Sequence, residues 1–543
     1  MIRLPFFRSA PPTRIAPLST SAHEQLERLL GQAGPHPLQS RLVGLEKENL
    51  RTTPDGTIAL SSHPESLGST LTHPAITTDY AEAQLELVTP PFEDVASSLV
   101  FLDELQRFIQ AGIGEELLWA ASMPCVVAGD EGIRIATYGS SNEGLMRHIY
   151  RRGLGYRYGR TMQVITGIHL NFSMGEDFWR AWHQSSGDQH SLREFRDQRY
   201  MGLVRNQQRL GWLVPYLFGC SPAVCNSFLR DVPGHSLSEW DDTTSYGPYA
   251  TSLRMSDIGY QNRRSAGLRV SYNTLEQYVA DLERAIRTPW PDYQKIGVVV
   301  DGEYRQLNAN ILQIENEYYS SMRPKPPADS SLSPAAALRE HGIAYVELRS
   351  LDLNMFEPLG VSEQQLRFLE LFLLYCLLEP SPDIEPGETT EIDANQSASA
   401  CNGRDPALML QRRGQAIALR EWAAEIMDAL TPLAEALDAG RQTPCYLSTL
   451  ASVRPLCEDP ALTPSGRMLA QMAEREQGFF SYAMDTARQY RQHYLDRPLG
   501  PERMAAMQQQ ARDSLAEQSR REATTEPDFA SWLANRYPPA DRN

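Results

Sequence analysis

Several short segments in the first two-thirds of the chain alternate strictly between apolar and polar residues, the period of a strand with two different faces. In residues 43–48, Glu46 and Glu48 share one side. In 166–173, His169, Asn171 and Ser173 oppose Ile168, Leu170 and Phe172. In 311–317, Gln313, Glu315 and Glu317 align, and in 344–349, Glu347 and Arg349 oppose Val346 and Leu348. Residues 80–87 are ambiguous between helix and strand, but a spacing of four puts Glu82 and Glu86 on the same side either way. The apolar stretch 368–378, interrupted by Glu370, is too short to span a bilayer and predicts a buried helix. Residues 379–406, rich in Pro, Ser, Asp, Glu and Asn, predict a surface loop. Helical spacing follows over 416–437 and 464–494, and the charged, Gln-rich stretch 501–521 predicts a solvated helix. No internal repeat or coiled-coil heptad run is present.

Any one of these strands could simply turn a polar face to water. Five together carry a different message, because their polar positions are nearly all Glu, with one His and one Arg. Carboxylates facing one another across strands repel. Such a face is tolerable if divalent cations sit among the oxygens, which are the hard ligands that Mg²⁺ prefers, with substrate phosphates completing the shell. His169 fits Mg²⁺ or Mn²⁺ as an occasional ligand, and a hydrogen-bonded core histidine is an equal alternative. Arg349, two residues from Glu347, is suited to clamp a transferring phosphoryl group, the alternative being a salt bridge to a neighbouring Glu. There is no GxxxxGK[ST] loop and no GxGxxG opening a helix, so ATP phosphates, if bound, must be held by metal ions and arginine.

Composition narrows the partners. The 543 residues carry a formal charge of −17, which excludes the basic footprint of a nucleic-acid binder. With 41% hydrophobic residues the chain can form one large domain or two ordinary ones. Seven cysteines without a CxxC pair suggest neither a zinc site nor a disulfide framework, and point to a reducing cytoplasm. Residues 1–22 hold Arg3, Arg8 and Arg14 and no acidic residue, and lack the apolar core of a secretory signal. They read as a flexible leader, ahead of the alternative of a transit peptide.

Longer motifs run through the same segments. They are Gly44-Leu45-Glu46-Lys47-Glu48-Asn49-Leu50-Arg51, Leu71-Thr72-His73, Ile76-Thr77-Thr78-Asp79-Tyr80 and Ser122-Met123-Pro124-Cys125. Gly167-Ile168-His169-Leu170-Asn171-Phe172-Ser173, Pro215-Tyr216-Leu217-Phe218-Gly219 and Ala250-Thr251-Ser252-Leu253-Arg254-Met255-Ser256-Asp257 follow. Leu312-Gln313-Ile314-Glu315-Asn316-Glu317 and Tyr345-Val346-Glu347-Leu348-Arg349-Ser350-Leu351-Asp352 come last, with a weaker match at Thr525-Glu526-Pro527 and Trp532-Leu533. In order and spacing, from about Gly44 to Cys376, the chain resembles the proteobacterial-type glutamate–cysteine ligases.

The resemblance implies an α+β fold in which a curved, mainly antiparallel sheet forms a funnel-like active site, as in glutamine synthetase, with helices around it. It implies one catalytic domain over 23–543, whose part from 407 onward is mainly helical. The implied reaction activates the γ-carboxylate of L-glutamate with ATP as a γ-glutamyl phosphate, which the amine of L-cysteine attacks. By position, Glu46, Glu48, Asp79, Glu86, His169 and Glu347 resemble the family's Mg²⁺ ligands. Arg349 resembles the residue on the transferring phosphoryl group, and Arg254 one that holds a substrate carboxylate or the acyl phosphate. Tyr80, Tyr150, Leu154, Gln163, Tyr260 and Tyr319 resemble the cysteine pocket. At Tyr80 the family carries Phe, so the added hydroxyl alters that wall. The resemblance also implies a monomer with no membrane or nucleic-acid partner. Only Cys401 lies in the 379–406 segment, where some relatives carry a second cysteine, so no regulatory disulfide is expected. Competing readings are a ligase for a different amine, a non-catalytic nucleotide-binding regulator, and a metal-dependent hydrolase. The last lacks a His-rich site for an activated water.

Overall fold

Seven strands carry the architecture: β1 (Arg41–Thr52), β2 (Ile76–Thr78), β3 (Gln84–Val88), β4 (Leu117–Leu118), β5 (Ile168–Met174), β6 (Met322–Lys325) and β7 (Tyr345–Leu351). They form one sheet in the order β6-β7-β5-β1-β3-β2, with β4 on the far end of β1. Every pairing is antiparallel. The computed structural model describes residues 19–124, 126–230, 232, 234–259, 267–328 and 332–537.

The alternation read from the sequence sets the two faces of this sheet. Val43, Leu45, Leu85, Leu87, Ile168, Leu170, Phe172, Val346 and Leu348 are buried together on one face. Against them pack the helices Val95–Gly112 and Glu363–Leu378. The first begins at Asp94, whose side chain accepts from the Ser97 N–H, and the second at a Ser362/Gln365 capping box. Among the described residues no helix is long and apolar enough to cross a membrane.

Three expectations need correction. Residues 311–317 do not form a strand: they curl into a 3₁₀ turn over Glu315–Glu317. The Glu317 carboxylate is drawn inward to Arg157 at 2.8 Å and accepts from the Gln313 N–H at 2.7 Å, which the alternation could not reveal. The 379–406 segment is not a surface loop, because Pro386–Asn402 is a helix with Ile392, Asn395, Ser399 and Ala400 buried. Pro386 suits the first helical position, and the small residues let the backbone approach closely. Ser399 Oγ donates to the Trp212 carbonyl and Thr251 Oγ1 to the Ser399 carbonyl, at 2.7 and 2.8 Å. Third, Glu82 and Glu86 do not share a side. The segment becomes strand only from Gln84, and Glu82 turns away to accept from His63 N and Thr137 N.

Boundaries shift elsewhere. The 416–437 helix is observed as Leu419–Asp438, preceded by the hairpin Met409–Arg412/Gln415–Ala418. The 464–494 stretch divides into Pro464–Glu474 and Phe479–Leu495. The tail helix Pro501–Glu522 is mostly exposed, as its composition suggests. Of the 1–22 leader, residues 1–18 lie outside the described residues, while Ser19 begins the helix Ser19–Ala33.

Glu370, the one acidic residue in the apolar 368–378 stretch, shows what joins this helix to the sheet. Its carboxylate, 2% exposed, accepts from Arg41 Nε at 2.8 Å and from the Tyr446 hydroxyl at 2.9 Å. Removing one partner of a buried ion pair strands the other charge, at a cost of about 3–5 kcal/mol. Glu370→Ala is therefore expected to lower the urea unfolding midpoint markedly, and Arg41→Met combined with Glu370→Leu to recover most of the loss. Equal midpoints for Glu370→Ala and the native chain would contradict this account.

Candidate functional site

The polar face of the sheet gathers the predicted metal ligands through register. Glu48 lies directly opposite Glu86, and Glu46 opposite His169. Asn171, two residues on from His169, lies opposite Glu347. His169 Nδ1 is 3.1 Å from Glu46 Oε2 and 3.4 Å from Glu347 Oε1, and its Nε2 is 3.8 Å from Glu48 Oε1. One ligand atom each from Glu46, Glu86 and His169 falls within 4.8 Å of the others. Glu48 and Glu347 flank this trio. Asp79, in the turn between β2 and β3, stands at the rim, with Arg151 Nη2 3.7 Å from its Oδ1.

The electrostatics are uneven across the cluster. Burial, with Glu46, Asp79 and Glu48 adding, holds the Glu86 carboxyl well above the usual range. Burial and then Asp79 push Glu48 up to about 8, against the pull of Arg254, Arg349 and the Gly167 N–H. At the other end burial also opposes ionisation of Glu347, but Lys325, Arg349 and His169 outweigh it and hold that carboxyl well below the usual range. Glu46 is likewise lowered: burial and Glu347 oppose ionisation, and the His169 hydrogen bond and charge prevail. Burial and Arg349 lower His169, with Glu46 and Glu347 pulling the other way. The donor set therefore suits a divalent cation at the Glu46, Glu86 and His169 end.

Arg349 sits in a β-bulge, where β7 carries an extra residue against β5 between Leu348 and Leu351. Its Nη1 donates to Glu347 at 2.8 Å, so the salt-bridge alternative is realised here. Its Nε is buried without a hydrogen-bond partner. Arg254 lies in the short turn Leu253–Met255, donating from Nη2 to the Arg349 carbonyl at 2.7 Å. The guanidinium lies flat against Gly167, where a Cβ would come within 2.3 Å of Nη2. Asp352, buried beside it, accepts from Cys220 N, Ser221 Oγ and Ser252 Oγ, with Arg254 Nη1 at 3.8 Å.

The expected pocket residues fall on separate parts of the fold. Tyr150 and Leu154 lie on the helix Asn142–Tyr158, and the buried Tyr80 hydroxyl abuts Gly155 of that helix. Gln163 follows, buried in the 3₁₀ turn Thr161–Val164. Tyr319 donates to Met255 Sδ at 3.4 Å, next to Arg254. Tyr260 lies outside the described residues. Three groups escaped sequence reasoning as site residues: Lys325 (3.2 Å from Glu347), Arg151 and Asp352. No local periodicity marks Lys325 or Arg151. Asp352 stood inside a recognised motif without an assigned role.

The family model for glutamate-cysteine ligase matches residues 26–399. The chain belongs to the glutamate–cysteine ligase family. Glutamate–cysteine ligase of Alcanivorax borkumensis is 46% identical over 503 residues, covering 91% of this chain and 95% of the relative. That of Pseudomonas aeruginosa strain PAO1 is 45% identical over 507 residues, covering 93% and 96%. The solved glutamate–cysteine ligase of Francisella tularensis in complex with AMP aligns with a TM-score of 0.85 at 34% identity, covering 92% of this chain and 97% of that one. A bifunctional glutathione synthetase from Pasteurella multocida aligns at TM-score 0.69 and 25% identity, covering 88% of this chain and 55% of that longer chain. The α+β sheet architecture of this family member is thus the one the sequence suggests.

The crowding of carboxylates has a measurable consequence. Because Glu86 has a higher pKa folded than unfolded, ionising it costs the folded state stability at neutral pH. Glu86→Gln removes that cost, and is expected to stabilise the protein in a chelator by about 1 kcal/mol. Added Mg²⁺ or Mn²⁺ should then raise the melting temperature of the native chain more than that of the variant. A variant less stable than the native chain in chelator would refute the repulsion argument.

Proposed function

We propose that this family member joins the γ-carboxylate of L-glutamate to the amine of L-cysteine at the expense of ATP, giving γ-glutamylcysteine, ADP and phosphate. The observation that carries the reading is the carboxylate-lined sheet face with two fixed arginines beside it, in a chain of this family. A carboxylate is a poor acyl donor at neutral pH, and phosphorylation supplies a leaving group. A glutamate γ-oxygen attacks the γ-phosphorus of ATP and ADP departs. The cysteine nitrogen then attacks the acyl carbon, the acyl C–O bond breaks, and the nitrogen sheds its proton as inorganic phosphate leaves.

Glu46, Glu86 and His169, with Glu48, Glu347 and Asp79 around them, would hold divalent cations. We assign Mg²⁺, with Mn²⁺ as the alternative, because oxygen donors dominate the set. When bound, such ions neutralise phosphate oxygens and align the phosphoryl group for transfer. Arg349 keeps a buried Nε–H without a hydrogen-bond partner, and re-pairing its guanidinium from Glu347 to the phosphoryl group would stabilise the transition state. Arg254, fixed by the Arg349 carbonyl and Asp352, is suited to the glutamate carboxylate or the acyl phosphate. Tyr80, Tyr150, Leu154, Gln163, Tyr260 and Tyr319 form the proposed cysteine pocket, where ring edges suit a thiol. The residues 23–543 act as one catalytic unit in this reading, and the sparse cysteines and ATP requirement fit a cytoplasmic enzyme.

ADP release with glutamate present and candidate amines varied tests the assignment. Cysteine should stimulate turnover above other amino acids. Stimulation by another amine and not by cysteine would overturn the substrate, and no stimulation by any amine would overturn the ligase reading. Arg349→Ala is expected to lower kcat by about 10²–10³-fold while substrate KM values move far less, the signature of a contact made mainly in the transition state. A change confined to KM would remove Arg349 from that role.

A further inference from the structure

The motif around Thr525-Glu526-Pro527 and Trp532-Leu533 has no part in the chemistry above, yet it bears on the helix that carries Tyr150 and Leu154. We propose that the C-terminal segment from Gln518 to Tyr537 is a latch that positions the helix Asn142–Tyr158 and thereby sets the affinity for cysteine. The inference rests on the reading of Tyr150 and Leu154 as walls of the cysteine pocket.

The latch grips the helix at its start. The first N–H groups of a helix lack partners within it, and that end carries partial positive charge. Here Glu526 Oε2 accepts from Asn142 N at 2.8 Å, and Asn142 Nδ2 donates to the Pro527 carbonyl at 2.9 Å. Glu522 Oε1 accepts from Ser140 N at 2.8 Å, two residues earlier in the chain. Gly139 leaves room for this contact: its φ is 81°, and a Cβ there would meet Glu522 Oε1 at 2.0 Å and Gln518 Nε2 at 2.2 Å. Arg521 adds an ion pair to Glu143 at 3.2 Å.

The second grip is apolar. Phe529, Trp532, Leu533 and Tyr537 pack on a small cluster that includes Leu145, Met146, Ile149 and Tyr150, and Phe529 meets the Tyr304 ring edge-on at 5.1 Å. The terminal helix Phe529–Arg536 has no fully buried residue, so this contact is separable from the main core. Inside, the same helix meets the site: Gln313 Nε2 donates to the Tyr150 carbonyl at 3.1 Å, and Gly155 lies where a Cβ would come within 2.6 Å of the Tyr80 hydroxyl. A small shift of the helix is therefore transmitted directly to the proposed pocket wall, and misplacement on the order of 1 Å is enough to be felt in binding and turnover. Glu46, Glu86, His169 and Arg349, by contrast, are fixed by the sheet.

Glu522, Glu526, Phe529 and Trp532 are thus positioning residues, and steady-state kinetics of full-length variants test them. Glu526→Ala and the pair Phe529→Ala with Trp532→Ala should each raise KM for cysteine by about fivefold, or about 1 kcal/mol at 1.4 kcal/mol per tenfold. KM for glutamate and for ATP should rise less than KM for cysteine, because the helix reaches that side of the site at its rim, through Arg151 on Asp79. Glu526→Gln keeps an acceptor for Asn142 N and should recover part of the loss. Tyr150→Ala serves as the reference. If it raises KM for cysteine and the latch variants do not, the latch is overturned while the pocket stands. If Tyr150→Ala leaves KM for cysteine unchanged, the pocket reading fails and the latch falls with it. A parallel rise in all three KM values with a lower melting temperature would mark a general folding role and also overturn the proposal.

Discussion

Glu48 faces Glu86 across two neighbouring strands, and the sheet offers no way to avoid it. A slip of one residue would separate the two carboxylates but would turn either Val43 and Leu45 or Leu85 and Leu87 out of the core. Burying a leucine or valine contributes about 1.5–3 kcal/mol. A like-charge pair across strands costs about 1 kcal/mol or less. The apolar face wins, and it holds the polar face in a state that calls for positive charge. Much of the site follows from that constraint, because the groups around the carboxylates are those that answer it.

They answer it unevenly. Lys325, Arg349 and His169 hold the Glu347 carboxyl well below the usual range, whereas burial and Asp79 push Glu48 up and burial, Glu46, Asp79 and Glu48 push Glu86 up. The protein's own cations thus outweigh burial at Glu347 but not at Glu48 and Glu86. The Glu347 end is where Arg349 sits, on a bulge that gives the strand an extra residue just there. Its guanidinium is paired with Glu347 through Nη1 and still holds a buried Nε–H without a hydrogen-bond partner. The network extends to Arg254, whose guanidinium is pressed on Gly167 and bonded to the Arg349 carbonyl. Asp352 completes the chain, using two hydroxyls and one N–H to stay in place beside Arg254.

How much of this could be read in the sequence depends on how local the cause is. Period-two alternation is local, and it located Glu46, Glu48, His169 and Glu347 on one face before any pairing was known. It failed for Gln313, Glu315 and Glu317, where a buried ion pair with Arg157, far away in the chain, curls the same pattern into a turn. Composition failed at Pro386–Asn402, since Ser and Ala look like loop residues until Trp212 and Thr251 are seen to pack on them. Lys325 and Arg151 reach the carboxylates only through strand and helix neighbours that tertiary structure supplies. Naming glutamate and cysteine required the family motifs, because alternation specifies charge and facing, not the shape of a pocket.

The two halves of the site also differ in what makes them rigid. The carboxylate-lined side is built on central strands whose backbone bonds and apolar face fix it. The proposed amine side is built on the helix Asn142–Tyr158, which contains Gly144, Gly153 and Gly155. Each glycine in a helix interior costs about 1 kcal/mol relative to alanine, so this helix is weak on its own. The glycines are needed where neighbours press in: a Cβ at Gly153 would meet Gln313 Oε1 at 2.2 Å, and one at Gly155 the Tyr80 hydroxyl. Close approach is gained and intrinsic stability is lost, so the helix must take its position from what packs on it, Tyr80 and Gln313 within and the carboxylates and aromatic rings of the C-terminal segment without. In the proposed reading, activation of the acid rests on the sheet and choice of the amine on this helix, and Arg151 on Asp79 joins the two.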